Sequence, residues 1–271
     1  MLRGGKESAG FTIVETLIVL AVSAILAVSA MLLVAGRQAK TQFAVGANDL
    51  KQQLEQIINE TRSGYYPGNG DFTCTPHTGA GGTPLITGGA AAQGTNAGCI
   101  FLGKAVEFGV PDFQSFATYP LVGNRQDMSN QEVSSYSAAK AVALTSHVDS
   151  SKTEGGLQFS KVTYYLSDGS SPSSTTQAVF ALADSLGDYA PNATTGDLNS
   201  ATEKLNLYYF SFPPNWSGPI VNGIDTGGVH DGSPTLNSLD LCFDGGAGKF
   251  AVITITGLGQ LSVKLKIKTA C

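Results

Sequence analysis

Between Phe11 and Gly36 the chain is predominantly apolar with Glu15 its one charge, and residues 16–35 pass twenty positions without a charge. As a helix this run is about 30 Å long, the thickness of a bilayer's hydrocarbon core. No later stretch approaches eighteen consecutive apolar residues. The pattern therefore predicts one membrane span with everything after it on one side. Beyond Ala35 the helical pattern continues but turns amphipathic: Phe43, Ala47, Leu50, Leu54, Ile57 and Thr61 recur at three- and four-residue intervals among Gln, Lys, Asn and Glu. Lys51 and Glu55 are spaced as an exposed i,i+4 pair. Gly64 and Pro67 predict the helix end near Ser63.

From Gly64 onward the pattern changes to short β-prone runs between turns rich in Gly, Ser, Thr, Asn and Pro. The clearest is a hairpin of 249–256 and 260–268 around Gly257-Leu258-Gly259. There Leu261, Val263, Leu265 and Ile267 alternate with Ser262, Lys264, Lys266 and Lys268. Further strands are predicted at 100–108, 156–166, 177–183, 204–212 and 239–243, and a short helix within 131–145. A long helix whose apolar stripe is covered by antiparallel strands is an α+β arrangement. The expected organisation is a membrane helix at 11–36, an amphipathic stalk at 37–63 and a β-rich head at 64–271.

Composition sharpens this picture. Charged residues make up 14% of the chain, against about 25% in an ordinary soluble domain, and the 33 glycines are well above average. A net charge of −5 argues against a general nucleic-acid binder. Lys264, Lys266 and Lys268 suit edge protection better than phosphate contact. Arg3 and Lys6 before the span and Val28-Ser29-Ala30 within it also fit a secretory signal peptide, but Glu15 opposes that reading. A carboxylate near the start of a span costs free energy a plain leader has no use for, and an acidic residue there is by default functional.

Gly10-Phe11-Thr12-Ile13-Val14-Glu15 followed by LIVLAVSAILAV resembles the amino terminus of type IV pilins and the related pseudopilins. The resemblance covers roughly the first fifth of the chain. It implies a leader peptide at 1–10, cleaved after Gly10 by a prepilin peptidase that also methylates the new amino-terminal Phe11. It implies that Glu15 pairs with the terminal amine of a neighbouring subunit. A buried carboxylate and a buried amine are each prohibitive alone and tolerable together, and such a pair sets registry between helices. The partners implied are other pilin subunits in a helical filament. The implied location is the inner membrane, with the head outside, and then a cell-surface pilus. One departure is the lack of any proline before Pro67, where many pilins carry one about the position of Leu32.

Four cysteines without CxxC spacing point away from zinc and thioredoxin-like chemistry. Of their three possible connectivities in an extracytoplasmic head, the sequential one, Cys74–Cys99 and Cys242–Cys271, is favoured, and a carboxy-terminal disulfide-bounded region is a habit of the family. Catalytic convergence is lacking: His77, His147 and His230 are scattered and no G-x-S-x-G elbow occurs. No enzyme activity and no cofactor are expected. Asp225, Asp231 and Asp240, read as one loop, offer oxygen ligands for calcium, and some pseudopilins hold calcium in a loop of this region; aspartates beside glycines are more often turn formers. Trp216 in FPPNWSGP is a candidate aromatic contact.

The expected function is a structural subunit of a type IV pilus-like filament, a minor or large pilin serving adhesion, twitching motility or DNA uptake. The alternatives are a type II secretion pseudopilin and a single-span membrane-anchored binding protein.

Overall fold

The structure is a computed structural model that describes residues 12–63, 72–77, 82–89, 98–109, 112–126, 129–133, 136–166, 173–175, 178–184, 205–209, 236–246, 248–256 and 261–271. The leader, the Gly10-Phe11 junction, Asp225, Asp231, His230, Trp216 and the turn 257–260 lie outside these residues.

A single helix, α1, runs over Ile13–Arg62, 50 residues or about 75 Å. It ends at Ser63, whose N–H donates to the carbonyls of Asn59 and Thr61. The strands and helix that follow are β1 (Phe72–Thr75), β2 (Leu85–Gly88), β3 (Cys99–Phe108), β4 (Ser115–Asn124), α2 (Tyr136–Ala139), β5 (Val142–Ala143), β6 (Asp149–Lys152) and β7 (Gln158–Leu166). The chain continues through β8 (Ser173–Thr175), β9 (Ala178–Asp184), β10 (Leu205–Tyr209), β11 (Leu236–Asp244), β12 (Phe250–Thr256) and β13 (Ser262–Lys268). They form three antiparallel sheets: the hairpin β1-β2, a six-stranded sheet β10-β9-β3-β4-β5 with β6 also on β4, and a five-stranded sheet β13-β12-β11-β7-β8. The fold is α+β.

The head is built against the second half of α1. Phe43, Ala47, Leu50, Leu54, Ile57 and Ile58 are buried with Val106, Phe108, Phe116, Phe159, Phe243 and Ile253 in one core that joins the helix to both large sheets. Phe108 centres an aromatic cluster, with ring centroids 5.0 Å from Phe116, 5.4 Å from Phe159 and 5.5 Å from Phe243. The amphipathic stripe in the sequence is this buried face. The carboxy-terminal hairpin forms with Phe250 opposite Lys268 and Thr256 opposite Ser262. Its alternation holds at Val263, which is buried, and fades at Ile267, which is 54% exposed.

One expectation narrows and one strand is new. Among the described residues of 131–145 the expected short helix is the single turn Tyr136–Ala139; Lys140 takes a left-handed φ of 54°, and Val142 and Ala143 pair with Val122 and Leu121. Sheet pairing there outweighs the helix propensity of an alanine-rich run. The strand β4 is not among the predicted strands, and a proline argues against an interior strand. Here Pro120 falls between the stretch of β4 paired with β6 (115–118) and the stretch paired with β5 (121–122), and its carbonyl accepts from Leu144 N–H at 2.9 Å. The missing donor therefore meets a gap in the ladder.

Candidate functional site

The functional candidate is the stretch Ile13–Met31 of α1, which the head leaves uncovered. Within Ile13–Met31 no residue is buried, and Ile13 is 79% exposed. Each aliphatic side chain left in water forgoes about 1.5–3 kcal/mol, so ten or so in series require a bilayer or neighbouring helices as solvent. By length and composition this segment can cross a membrane.

Its first turn is closed by a capping box. Thr12, in an extended conformation (φ −74°, ψ 150°), is the N-cap: its hydroxyl accepts from Glu15 N–H at 3.3 Å. In return the Glu15 carboxylate Oε2 accepts from Thr12 N–H at 2.9 Å and from Thr12 Oγ1 at 3.0 Å. Two backbone donors that hydrocarbon would leave orphaned are thereby satisfied, and the carboxylate lies at the positive end of the helix dipole. Sequence reasoning singled out Glu15 and passed over Thr12, although Thr-x-x-Glu before an apolar run is the signature of this cap.

With this geometry in place the comparison with known families is decisive for one segment: residues 5–31 match the prokaryotic N-terminal methylation motif. The chain carries a type IV prepilin-like signal. The match spans the Gly10-Phe11 junction, Thr12, Glu15 and the exposed apolar helix, so the signal supports a type IV pilin or pseudopilin-like protein with a single-pass membrane anchor. It also implies processing by a prepilin peptidase and assembly with other pilins. No curated protein and no solved structure matches the chain.

Where the prepilin-like helix enters the head, contact becomes close. A Cβ added at Gly46 would collide with the Glu154 carbonyl oxygen and lie 2.7 Å from its carbon; one at Gly155 (φ +68°) would collide with the Gln42 carbonyl. Glycine at both positions lets helix backbone and loop backbone touch. Nearer the helix end, Lys104 of β3 is 1% exposed, and its ammonium lies 2.6 Å from Glu60 Oε2. Gln56 Nε2 donates to Glu60 Oε1 at 2.7 Å. Burial pushes the Glu60 carboxyl up, but the hydrogen bonds from Lys104 and Gln56 and the Lys104 charge outweigh it, and the net shift is downward. On the other face of β3, burial and the adjacent Glu107 carboxyl push the Tyr119 phenol up to about 12.

Cys74 is bonded to Cys99, with Cα atoms 6.3 Å apart, tying β1 to β3; Cys242 is bonded to Cys271 at a Cα separation of 6.0 Å. Asp240 does not sit in a loop with Asp225 and Asp231. It is a residue of β11, where Oδ1 accepts from Thr254 Oγ1 at 2.6 Å and Oδ2 from the Tyr165 hydroxyl at 3.4 Å. Among the described residues no group of three His, Cys, Asp or Glu is placed to hold a metal. Lys264, Lys266 and Lys268 are exposed on one face of β13, and Lys51 and Glu55 pair at 3.0 Å.

Proposed function

We propose that the chain is a prepilin that becomes a structural subunit of a type IV pilus-like filament, cleaved after Gly10 by a prepilin peptidase and N-methylated at Phe11. The observation that supports it most is the continuity of α1: one helix passes without a break from the exposed apolar stretch Ile13–Met31, which carries the methylation motif, into a stretch with one face buried in the head. In this reading residues 11–36 hold the subunit in the inner membrane and then pack in the filament core. Glu15 exchanges its own-chain partner Thr12 for the terminal amine of a neighbouring subunit, which sets the stagger between helices.

Intact mass and amino-terminal sequencing of the mature protein test the proposal. The expected product starts at Phe11 and carries one added methyl group; a chain that starts at Met1 or Met31 overturns it. A minor or tip subunit is favoured over the main structural one by the size of the head, 208 residues from Gly64 to Cys271. A dominant band at the mature mass in sheared filaments would reverse that preference.

A further inference from the structure

From Val45 to Ser63 the fully exposed positions of α1 are Val45, Asn48, Gln52, Gln56, Asn59 and Ser63. Their intervals of three and four residues set them on one line, opposite the buried stripe of Phe43, Leu50 and Leu54. None is charged, although the outer face of a solvated stalk ordinarily mixes charged with polar residues. The five charged residues of this stretch stand beside the line, half-buried. Lys51 pairs with Glu55, Glu60 with Lys104, and Asp49 accepts from Gln53 at 2.6 Å, which leaves Arg62 at the helix end. The side-chain amides of Gln52 and Asn59 have no hydrogen-bond partner among the described residues and, with Gln56 and Ser63, line an open groove along the helix.

The same line runs on toward the amino end. Ser23, Ala27 and Ala30 fall within about 40° of it, and all three are exposed. Arg37 and Lys40, the charges between the two stretches, fall about 60° and 120° away from it. Small side chains let a second helix approach closely, and Asn and Gln hydrogen-bond across helix pairs. The uncovered stretch Ile13–Met31, 19 residues or about 28 Å, offers a neighbouring helix a strip of about 280 Å² at a width of about 10 Å. A stable interface buries about 800 Å² per partner. Contact along all 50 residues of α1, about 75 Å, supplies about 750 Å². A neutral face also brings no like charges together when identical chains meet on it.

We infer that this ridge is a contact surface for a second copy of the chain, so that helix packing between subunits continues past the span and along the stalk, through amide hydrogen bonds rather than ion pairs. The inference rests on the proposed reading of the chain as a filament subunit and extends its helix contact from residues 11–36 to residue 63.

The test follows single thiols in the full-length protein. All four native cysteines are paired, so Gln52→Cys and Asn59→Cys each supply one reactive group, with Leu85→Cys, 63% exposed on β2, as the control. Expected is a reaction with N-ethylmaleimide at least ten-fold slower in sheared filaments than in detergent-dispersed subunits at 52 and 59, against less than two-fold at 85. Equal rates in the two states at 52 and 59 overturn the inference while the filament stands. A second measurement inserts charge. Gln52→Lys with Asn59→Lys should lower the yield of sheared filaments at least ten-fold without changing the Tm of the dispersed protein, and Gln52→Asn with Asn59→Gln should keep that yield. A full yield from the lysine pair likewise overturns the inference. A wild-type chain that makes no filaments overturns the proposed function and the inference with it.

Discussion

The pair between Lys104 and Glu60 gives an asymmetric prediction. Its two partners differ in exposure: the Lys104 side chain is 2% exposed and that of Glu60 29%. Replacing Glu60 by Ala leaves an ammonium enclosed without its counter-charge. Breaking a buried pair in this way costs about 3–5 kcal/mol, and partial access of water at Glu60 brings the expectation to about 2–3 kcal/mol. Replacing Lys104 by Met keeps most of the buried stem and leaves a carboxylate that water and Gln56 can serve, so the expected cost is under about 1 kcal/mol. In the double variant the Glu60→Ala penalty falls to less than half its value, because no ammonium remains to be stranded. Thermal unfolding of the full-length protein in detergent, followed by near-ultraviolet circular dichroism, reads these as a Tm loss of roughly 5–10 °C for Glu60→Ala and under about 3 °C for Lys104→Met. Because the Glu60 carboxyl is held below the ordinary glutamate range, the stability it contributes is present at neutral pH. It is lost as the pH falls through that range toward the lowered folded value. Equal costs for the two single variants, or a Glu60→Ala penalty unchanged by Lys104→Met, would refute the reasoning.

Glu15→Ala should be cleaved normally yet assemble poorly, and a normal yield of sheared filaments from that variant would remove the pairing argument. Gly46→Val forces a branched side chain into the Glu154 backbone, and overpacking of about 1–3 kcal/mol should appear as a lowered Tm; an unchanged Tm would show that the loop yields freely. Cys74→Ser with Cys99→Ser opens a loop of 25-residue separation and should cost about 3–4 kcal/mol by chain entropy, read by the same unfolding assay with reduced wild type as control. Tyr119 should remain protonated until about 12, and because the unfolded phenol ionises near 10, its stabilising contribution should fall as pH rises between those values. Difference absorbance of wild type against Tyr119→Phe follows that ionisation directly; ionisation near 10 in the folded protein contradicts it.

What the sequence discloses depends on how local the determining physics is. The stalk stripe of Phe43, Ala47, Leu50, Leu54 and Ile57 was legible because a period of 3.6 residues needs no partner to be recognised. The terminal hairpin was legible for the corresponding reason with a period of two. The strand β4 was hidden because Pro120 is tolerated only through a gap between β5 and β6, a fact of tertiary pairing. Strands β1 and β2 are four residues each in Gly- and Thr-rich surroundings, and they take their place beside the Cys74–Cys99 bond. At the candidate site Glu15 was conspicuous as the one charge in an apolar run. Lys104 was not, although a lysine and a glutamate within the run 99–108 signal burial that demands partners; which partner cannot be read when it lies 44 residues away on the helix. Asp240 misled for the opposite reason, since aspartate and glycine spacing suggested a loop ligand where the residue forms strand-to-strand hydrogen bonds.

One helix serves two solvents, and the change between them has a mechanical consequence. Up to Met31 the side chains of α1 are exposed and largely apolar; from Phe43 to Thr61 one face of the helix is buried in the head's own core. The attachment extends from Phe43 to Thr61, along five turns, and combines the close glycine contact at its lower end with the Lys104–Glu60 pair near its upper end. Lifting the head off the helix would expose Phe43, Leu50, Leu54, Ile57 and Ile58. At about 1.5–3 kcal/mol each this is of order 10 kcal/mol, comparable with the whole stability of an ordinary domain. Detaching the head from the helix is therefore about as costly as unfolding an ordinary domain.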